Sequence, residues 1–365
     1  MVGVFDPITI GQLALRNHFV RSATAEGLAD ATTGAPYPRL ADMYRALADG
    51  EVGLIVTGHV CVAYSGRTNS QMAAMATDEL IGPWRRTIRP AQSAGAKVML
   101  QINHGGASVV GDVVDDPVSP SGVRTNELVA SRSLTGDEIH ELVRAYGQAA
   151  RRAREAGFDG VQIHAAHGYL ISQFLTPSTN QRDDTWGGDE ARRLAFLRAV
   201  YQEVRDQVGA AYPVWIKLGI AGREASGLTI EAGARNAAVC ARMGLECIEI
   251  SHALGVPETL DTREEANYRP MAEAVRDQVG PGQPLAVVSG FSSLSIMQQV
   301  IDSGVVQLIS LCRPFIAEAD LVRRLRTGKT DRAFCVRCGR CGAQVETIGI
   351  TCNNKGVQQH LRTAG

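Results

Sequence analysis

The sequence lacks a marked charge of either sign. Its 37 Lys and Arg stand against 38 Asp and Glu, a formal charge of −1 at pH 7. That balance argues against nucleic acid or an anionic membrane as the main partner. Also lacking is any run near the roughly 18 uninterrupted apolar residues of a membrane span. The N-terminal stretch MVGVFDPITIGQLALRNHF has neither the basic start nor the apolar core of a secretory signal. A cytoplasmic location is the expectation. Two motifs are missing as well. No GxGxxG turn opens a helix, which sets the doubly wound dinucleotide fold behind its alternatives. No HExxH is present, which removes the commonest histidine-based zinc signature.

What is present is the composition of an ordinary soluble globular protein. The 365 residues allow one large domain or two small ones, with 45% hydrophobic and 21% charged residues. Short apolar runs recur at 19–23, 53–58, 97–102, 160–164, 213–219, 247–251, 284–289 and 306–311. Such runs, apolar at nearly every position, suit strands covered on both faces, as in parallel sheets. The segments between them read as helices. After Ser133, Thr135 and Glu138 form a capping box, Ile139, Leu142, Val143 and Tyr146 follow at helical spacing, and Gly157 is a natural stop. A helix ending at glycine shortly before a strand recurs in LADGEVGLIV, EAGFDGVQIH, RMGLECIEI and DSGVVQLIS. Eight βα units predict a (β/α)8 TIM barrel over residues 1–330, with a short cysteine-rich extension at 331–365 packed on it.

Active sites of such barrels lie at the C-terminal ends of the strands. Those ends supply Thr24, Gly58, Gln101 with His104, His164 onward, Lys217, His252, Ser289 with Gly290, and Cys312 with Arg313. Carboxylates are few among them, so a two-carboxylate hydrolase is disfavoured. Small residues after strands seven and eight, beside Arg313, match a barrel phosphate site in which backbone N–H groups cradle the anion. Lys217 reads as a salt bridge, a Schiff-base lysine or the partner of an anionic cofactor. Gln101 offers donor and acceptor to an amide-like heterocycle edge. His164, His167 and Tyr169 crowd one corner. A lone histidine is more often structural, but two with a tyrosine at a barrel mouth favour chemistry. Neutral imidazoles polarise a carbonyl oxygen and a protonated tyrosine serves as an acid, which together suit addition next to a carbonyl.

The stretch IHAAHGYLISQFLTPSTNQRDDTWGGDEARR closely resembles the signature of the old yellow enzyme family of FMN-dependent ene reductases. The resemblance runs from FDPITIGQLALRNHFVRSAT to SLCRPFIAEADLVRRL, over roughly residues 4–330. It implies that His164 and His167 hold the activating oxygen of the substrate and that Tyr169 donates a proton to the α-carbon. Gln101 would meet the pyrimidine edge of FMN, Lys217 would stand near N1 and O2, and Thr24 and Gly58 would line the isoalloxazine. Ser289, Gly290, Cys312 and Arg313 would hold the phosphate. The implied reaction is ping-pong reduction of an activated alkene with NADH or NADPH. There are departures: Ala25 stands where many relatives have threonine or cysteine, and QINHGG replaces a commoner aromatic-containing stretch.

The tail places Cys335, Cys338, Cys341 and Cys352 in a C-x2-C-x2-C-x10-C array, which points to [4Fe–4S] or Zn²⁺ rather than disulfides in a reducing compartment. It resembles the iron–sulfur site of the dienoyl-CoA reductase and trimethylamine dehydrogenase branch, whose last two gaps are each one residue longer. Competing readings are a flavin dehydrogenase or demethylase working oxidatively, a Schiff-base aldolase using Lys217, and a metal-binding electron-transfer module. A homo-oligomer is compatible with the sequence, which does not set the oligomeric state.

Overall fold

The computed structural model describes residues 2–110, 113–123, 128–288, 290–343, 345 and 349–364. All eight expected strands form. They are β1 (Phe19–Arg21), β2 (Leu54–Cys61), β3 (Lys97–Asn103), β4 (Gly160–Ala165), β5 (Val214–Ala221), β6 (Ile248–His252), β7 (Leu285–Val288) and β8 (Leu308–Leu311). They pair in parallel, each with its neighbour in sequence, and β8 closes on β1. The helices α1 (Pro38–Asp49), α2 (Ile81–Ser93), α3 (Gly136–Ala156), α4 (Ala195–Val208), α5 (Ile230–Met243), α6 (Arg269–Val279), α7 (Leu294–Asp302) and α8 (Leu321–Arg326) follow the strands in turn. Helix α3 starts at the expected capping box, with Thr135 accepting from the Glu138 N–H, and stops at Gly157 with φ 92°. A glycine takes that left-handed stop without the Cβ clash other residues suffer. This is a (β/α)8 barrel.

One element was not anticipated. Strands Ile8–Ile10 and Leu13–Leu15 pair antiparallel ahead of the barrel. Ile10, Leu13 and Leu15 pack in one cluster with Leu54, Met99, Trp215 and Leu308, so the hairpin seals the base of the barrel. Alternation along each strand then sorts the interior into levels. Two residues beyond the apolar floor come Ser22, Gln101, Lys217 and Glu249, all buried and polar. Beyond these, at the mouth, stand Asn103, His164 and Ser251.

The tail is attached to the barrel at the mouth. The Ile350 N–H donates to the Glu26 carbonyl at 2.7 Å. Arg337 donates to the carbonyls of Glu264 and Gly290, each at 3.0 Å, and to that of Arg263 at 2.5 Å. Among the described residues no helix is long and apolar enough to cross a membrane.

Candidate active site

His164 lies one residue before the end of β4, and the chain then turns through His167 (φ 59°) and Gly168 (φ 71°). A left-handed conformation costs a residue with a Cβ about 1 kcal/mol or more. The His167 N–H donating to the His252 carbonyl at 3.0 Å helps to hold it. Tyr169 follows and caps a short helix, Leu170–Leu175. The turn brings the three expected residues together. The His164 ring lies 5.0 Å from that of His167 and 4.9 Å from that of Tyr169, edge-on to both.

Hydrogen bonds constrain the imidazole protons. Nδ1 of His164 accepts from the Ala166 N–H at 3.2 Å, so its proton resides on Nε2. Nε2 of His167 lies 2.7 Å from Ser251 Oγ. If the serine donates there, Nδ1 carries the His167 proton. Burial, seconded by neighbouring histidines and Lys217, holds both rings well below the ordinary histidine pKa. Burial also raises the Tyr169 hydroxyl above its usual range. At neutral pH the corner is therefore an uncharged pair of N–H donors beside a protonated phenol.

Two further histidines complete it. The ring of His252, at the end of β6, lies 4.6 Å from that of His167, tilted by 49°. His59 lies 4.9 Å from the Tyr169 ring and 6.3 Å from His164, and burial depresses it to about 4. The sequence reading missed His59. In β2, Val56 opposes Met99 while His59 opposes Gln101, so a bulge at Thr57–Gly58 carries the histidine into the mouth. A histidine directly after the run at 53–58 was the available signal.

Beneath the histidines a polar chain crosses the barrel. Lys217 Nζ pairs with Glu249 Oε2 at 3.3 Å, both side chains 1% exposed, and donates to Ser22 Oγ at 2.5 Å. Ser22 donates to Glu249 Oε1 at 2.6 Å. Gln162 Nε2 donates to Glu249 Oε2 at 2.9 Å, and Gln101 Nε2 donates to Gln162 Oε1 at 2.7 Å. Of the three readings of Lys217, the ion pair is present in the structure.

Of the remaining expected residues, Thr24, Gly58, Gly290, Cys312 and Arg313 lie near or just beyond strand ends on the same side of the barrel. Gly290 has φ 53°, and a Cβ there would lie 2.9 Å from Arg337 Nη1. Cys312 is half-buried and heads the short helix Arg313–Ala317, while Arg313 donates to the Arg337 carbonyl at 3.1 Å. Ser289 lies outside the described residues. Thr24 is half-buried with its hydroxyl on the Ser22 carbonyl at 3.0 Å. Gly58 has a packing reason of its own. A Cβ there would sit 1.9 Å from Glu26 Oε2, whose carboxylate accepts from the Gly58 N–H and pairs with buried Arg21.

These residues fit a flavin mononucleotide. Gln101 keeps its amide oxygen out of the Gln162 bond, Lys217 supplies a cation one level below the mouth, and Gly290 with Arg313 suits an anion. Asn103, fully buried at the mouth end of β3, has neither amide atom hydrogen-bonded among the described residues. Unpaired buried polar atoms at a strand end call for a ligand or water.

The tail cysteines fit their expected metal less well. Cys335, Cys338, Cys341 and Cys352 line one cleft together with Arg313 and Arg337. Among the described residues, however, no group of three or more His, Cys, Asp or Glu side chains is disposed to hold a metal ion. Cys338 is exposed and accepts from Asn354 Nδ2 at 3.5 Å. The cysteine spacing puts the thiols in one neighbourhood without assembling a ligand set.

Fold and site define a class: a (β/α)8 barrel whose mouth gathers neutral histidines and a protonated tyrosine above a buried layer of amides and one charge pair. The sequence model of the NADH:flavin oxidoreductase / NADH oxidase family matches residues 3–332, and the chain belongs to that family. It is 29% identical to the NADH oxidase of Thermoanaerobacter brockii over 381 residues, covering 99% of this chain and 58% of that protein. The chain thus spans little more than half the length of that relative. It is 29% identical to the NADPH dehydrogenase of Geobacillus sp. (strain WCH70), covering 86% of this chain and 90% of that one. Among solved structures, the old yellow enzyme homologue of Zymomonas mobilis superposes with a TM-score of 0.80 at 25% identity, covering 92% of this chain and 96% of that one.

Proposed function

We propose that this chain reduces an activated C=C bond, conjugated to a carbonyl or thioester, with FMN as cofactor and NADH or NADPH as electron donor. The observation that carries the reading is the corner of His164, His167 and Tyr169, with both imidazoles held neutral by burial and the phenol held protonated. FMN, when bound, supplies hydride transfer in both directions, from the nicotinamide and to the alkene. The protein's own groups do the rest. Nε2–H of His164 and an N–H of His167 bind the carbonyl oxygen and stabilise the negative charge that develops there. Neutral rings suit this task, because they keep the anion-stabilising donors without competing to release a proton. Tyr169 Oη gives its proton to the α-carbon and is left as a phenolate that must regain one from solvent. Gln101, Lys217, Thr24, Gly58, Gly290, Cys312 and Arg313 serve the cofactor, with Ser289 assigned to the phosphate by sequence alone.

For the tail, the finer reading is that Cys335, Cys338, Cys341 and Cys352 take up [4Fe–4S] or Zn²⁺, and its support is their spacing. Anaerobic purification followed by analysis showing neither iron nor zinc would remove it.

The test of the main reading is an absorbance spectrum of the purified full chain, followed under anaerobic titration. Flavin bands that bleach with NADH or NADPH, and return on adding an α,β-unsaturated ketone with loss of its double bond, are expected. Bleaching without recovery on any activated alkene tried would leave a flavin reductase and remove the ene reductase.

A further inference from the structure

The layer beneath the histidines contains a carboxylate that the proposed chemistry does not use. Glu249 stands opposite Lys217 in the register of adjacent strands and is 1% exposed. A buried charge is costly unless paired and hydrogen-bonded, and Glu249 is both. Its oxygens accept from Ser22 at 2.6 Å and from Gln162 at 2.9 Å, and Lys217 lies 3.3 Å away.

The directions of these bonds follow from the donor inventory. An ionised carboxylate only accepts. Gln162 must therefore turn its NH₂ toward Glu249, which points its carbonyl the other way. Gln101 answers that carbonyl with its own NH₂, at 2.7 Å. The carbonyl of Gln101 and its second N–H are left outside the chain of bonds. That pair complements an N–H flanked by a carbonyl, the pattern on the pyrimidine edge of an isoalloxazine. A carboxylate two hydrogen bonds away thus decides which end of the Gln101 amide is presented. The same carboxylate offsets the Lys217 ammonium, so the layer carries a charge pair rather than a lone cation.

We propose that Glu249 is a positioning residue for the flavin: it tempers the field of Lys217 at the ring and, through Gln162, sets the orientation of the Gln101 amide. The inference rests on the flavin reading of the site. Reduction by two electrons and one proton leaves negative charge on the pyrimidine end of the ring. An uncompensated ammonium nearby favours that form, and an uncompensated carboxylate opposes it.

The experiment is the midpoint potential of FMN bound to the full chain, together with its Kd from flavin fluorescence quenching. Glu249→Gln is expected to raise the potential, Lys217→Met to lower it, and the double variant to return close to the wild type. Any two of the three decide the matter, so one that fails to fold does not block the test. Gln162→Leu keeps the charge pair. It should leave the potential in place while weakening FMN binding by about 10-fold, the loss of one oriented hydrogen bond. Potentials unmoved in the charge variants, or shifted alike in Lys217→Met and the double variant, would overturn the role of Glu249. Wild-type protein that retains no FMN would instead overturn the flavin reading itself.

Discussion

Nε2 of His167 and Oγ of Ser251 meet at 2.7 Å, joining the turn after β4 to the end of β6. The bond fixes a ring whose backbone is already in a strained conformation, so it bears on how well the second N–H of the proposed oxygen clamp is aimed. Ser251→Ala should slow alkene reduction about 10-fold, the equivalent of one hydrogen bond of roughly 1.4 kcal/mol. Stopped-flow measurement of flavin reoxidation by the alkene is the check. Flavin reduction by the nicotinamide should change less.

Tyr169→Phe removes the proposed acid and keeps the ring that packs against His59 and His164. Loss of a positioned general acid costs on the order of 10² to 10⁴ in rate. The loss should fall on the alkene half-reaction, with reduction of FMN largely kept. Equal losses in both half-reactions would contradict the assignment.

The buried histidines make stability depend on pH with a definite sign. His59 and His104 sit at about 4 against an ordinary value of 6.5. Their folded-state values lie below the unfolded ones, so the unfolded chain binds more protons in that window. The full stability is present above about pH 6.5 and is lost progressively as pH falls toward 4, by on the order of 3 kcal/mol per such histidine. Urea midpoints at pH 7.5, 6 and 5 should fall in that order. His59→Gln should flatten part of the slope.

Gly58→Ala places a methyl group in the position of the Glu26 carboxylate. The carboxylate must move away from Arg21, with which it is paired at 2.9 Å, and from the Tyr44 hydroxyl at 2.8 Å. Breaking a buried pair costs about 3 kcal/mol or more. Denaturant unfolding should show a lowered midpoint with an unchanged slope.

Arg337→Ala removes the guanidinium bonded to three backbone carbonyls of the β6 and β7 loops. Hydrogen exchange in the tail near residues 333–343 should quicken by about 10-fold or more, while the barrel strands keep their protection. Exchange unchanged in the tail would show that the clamp contributes nothing.

The barrel was legible because its evidence is local. An apolar run such as KVMLQI, or the capping box at Thr135 and Glu138, carries its own structural meaning within a few residues. The corner of His164, His167 and Tyr169 was legible for the same reason. What escaped depends on pairing across the barrel. Ser22 and Glu249 are 227 positions apart, and nothing near either one announces the other. His59 was hidden by a one-residue bulge, which strict alternation cannot anticipate. The hairpin at Ile8–Leu15 was hidden because its strands are only 3 residues each.

That hairpin has a consequence for traffic. Among the described residues, Ile10, Leu13 and Leu15 pack over the lower level of the barrel, which leaves the strand-end mouth as the approach to its interior. Under the proposed function, a nicotinamide donor and an alkene acceptor that both need the same ring would queue at that mouth, the first leaving before the second arrives. Each should therefore act as a competitor of the other at high concentration, a pattern of mutual exclusion that traces to three apolar residues at the opposite end of the barrel.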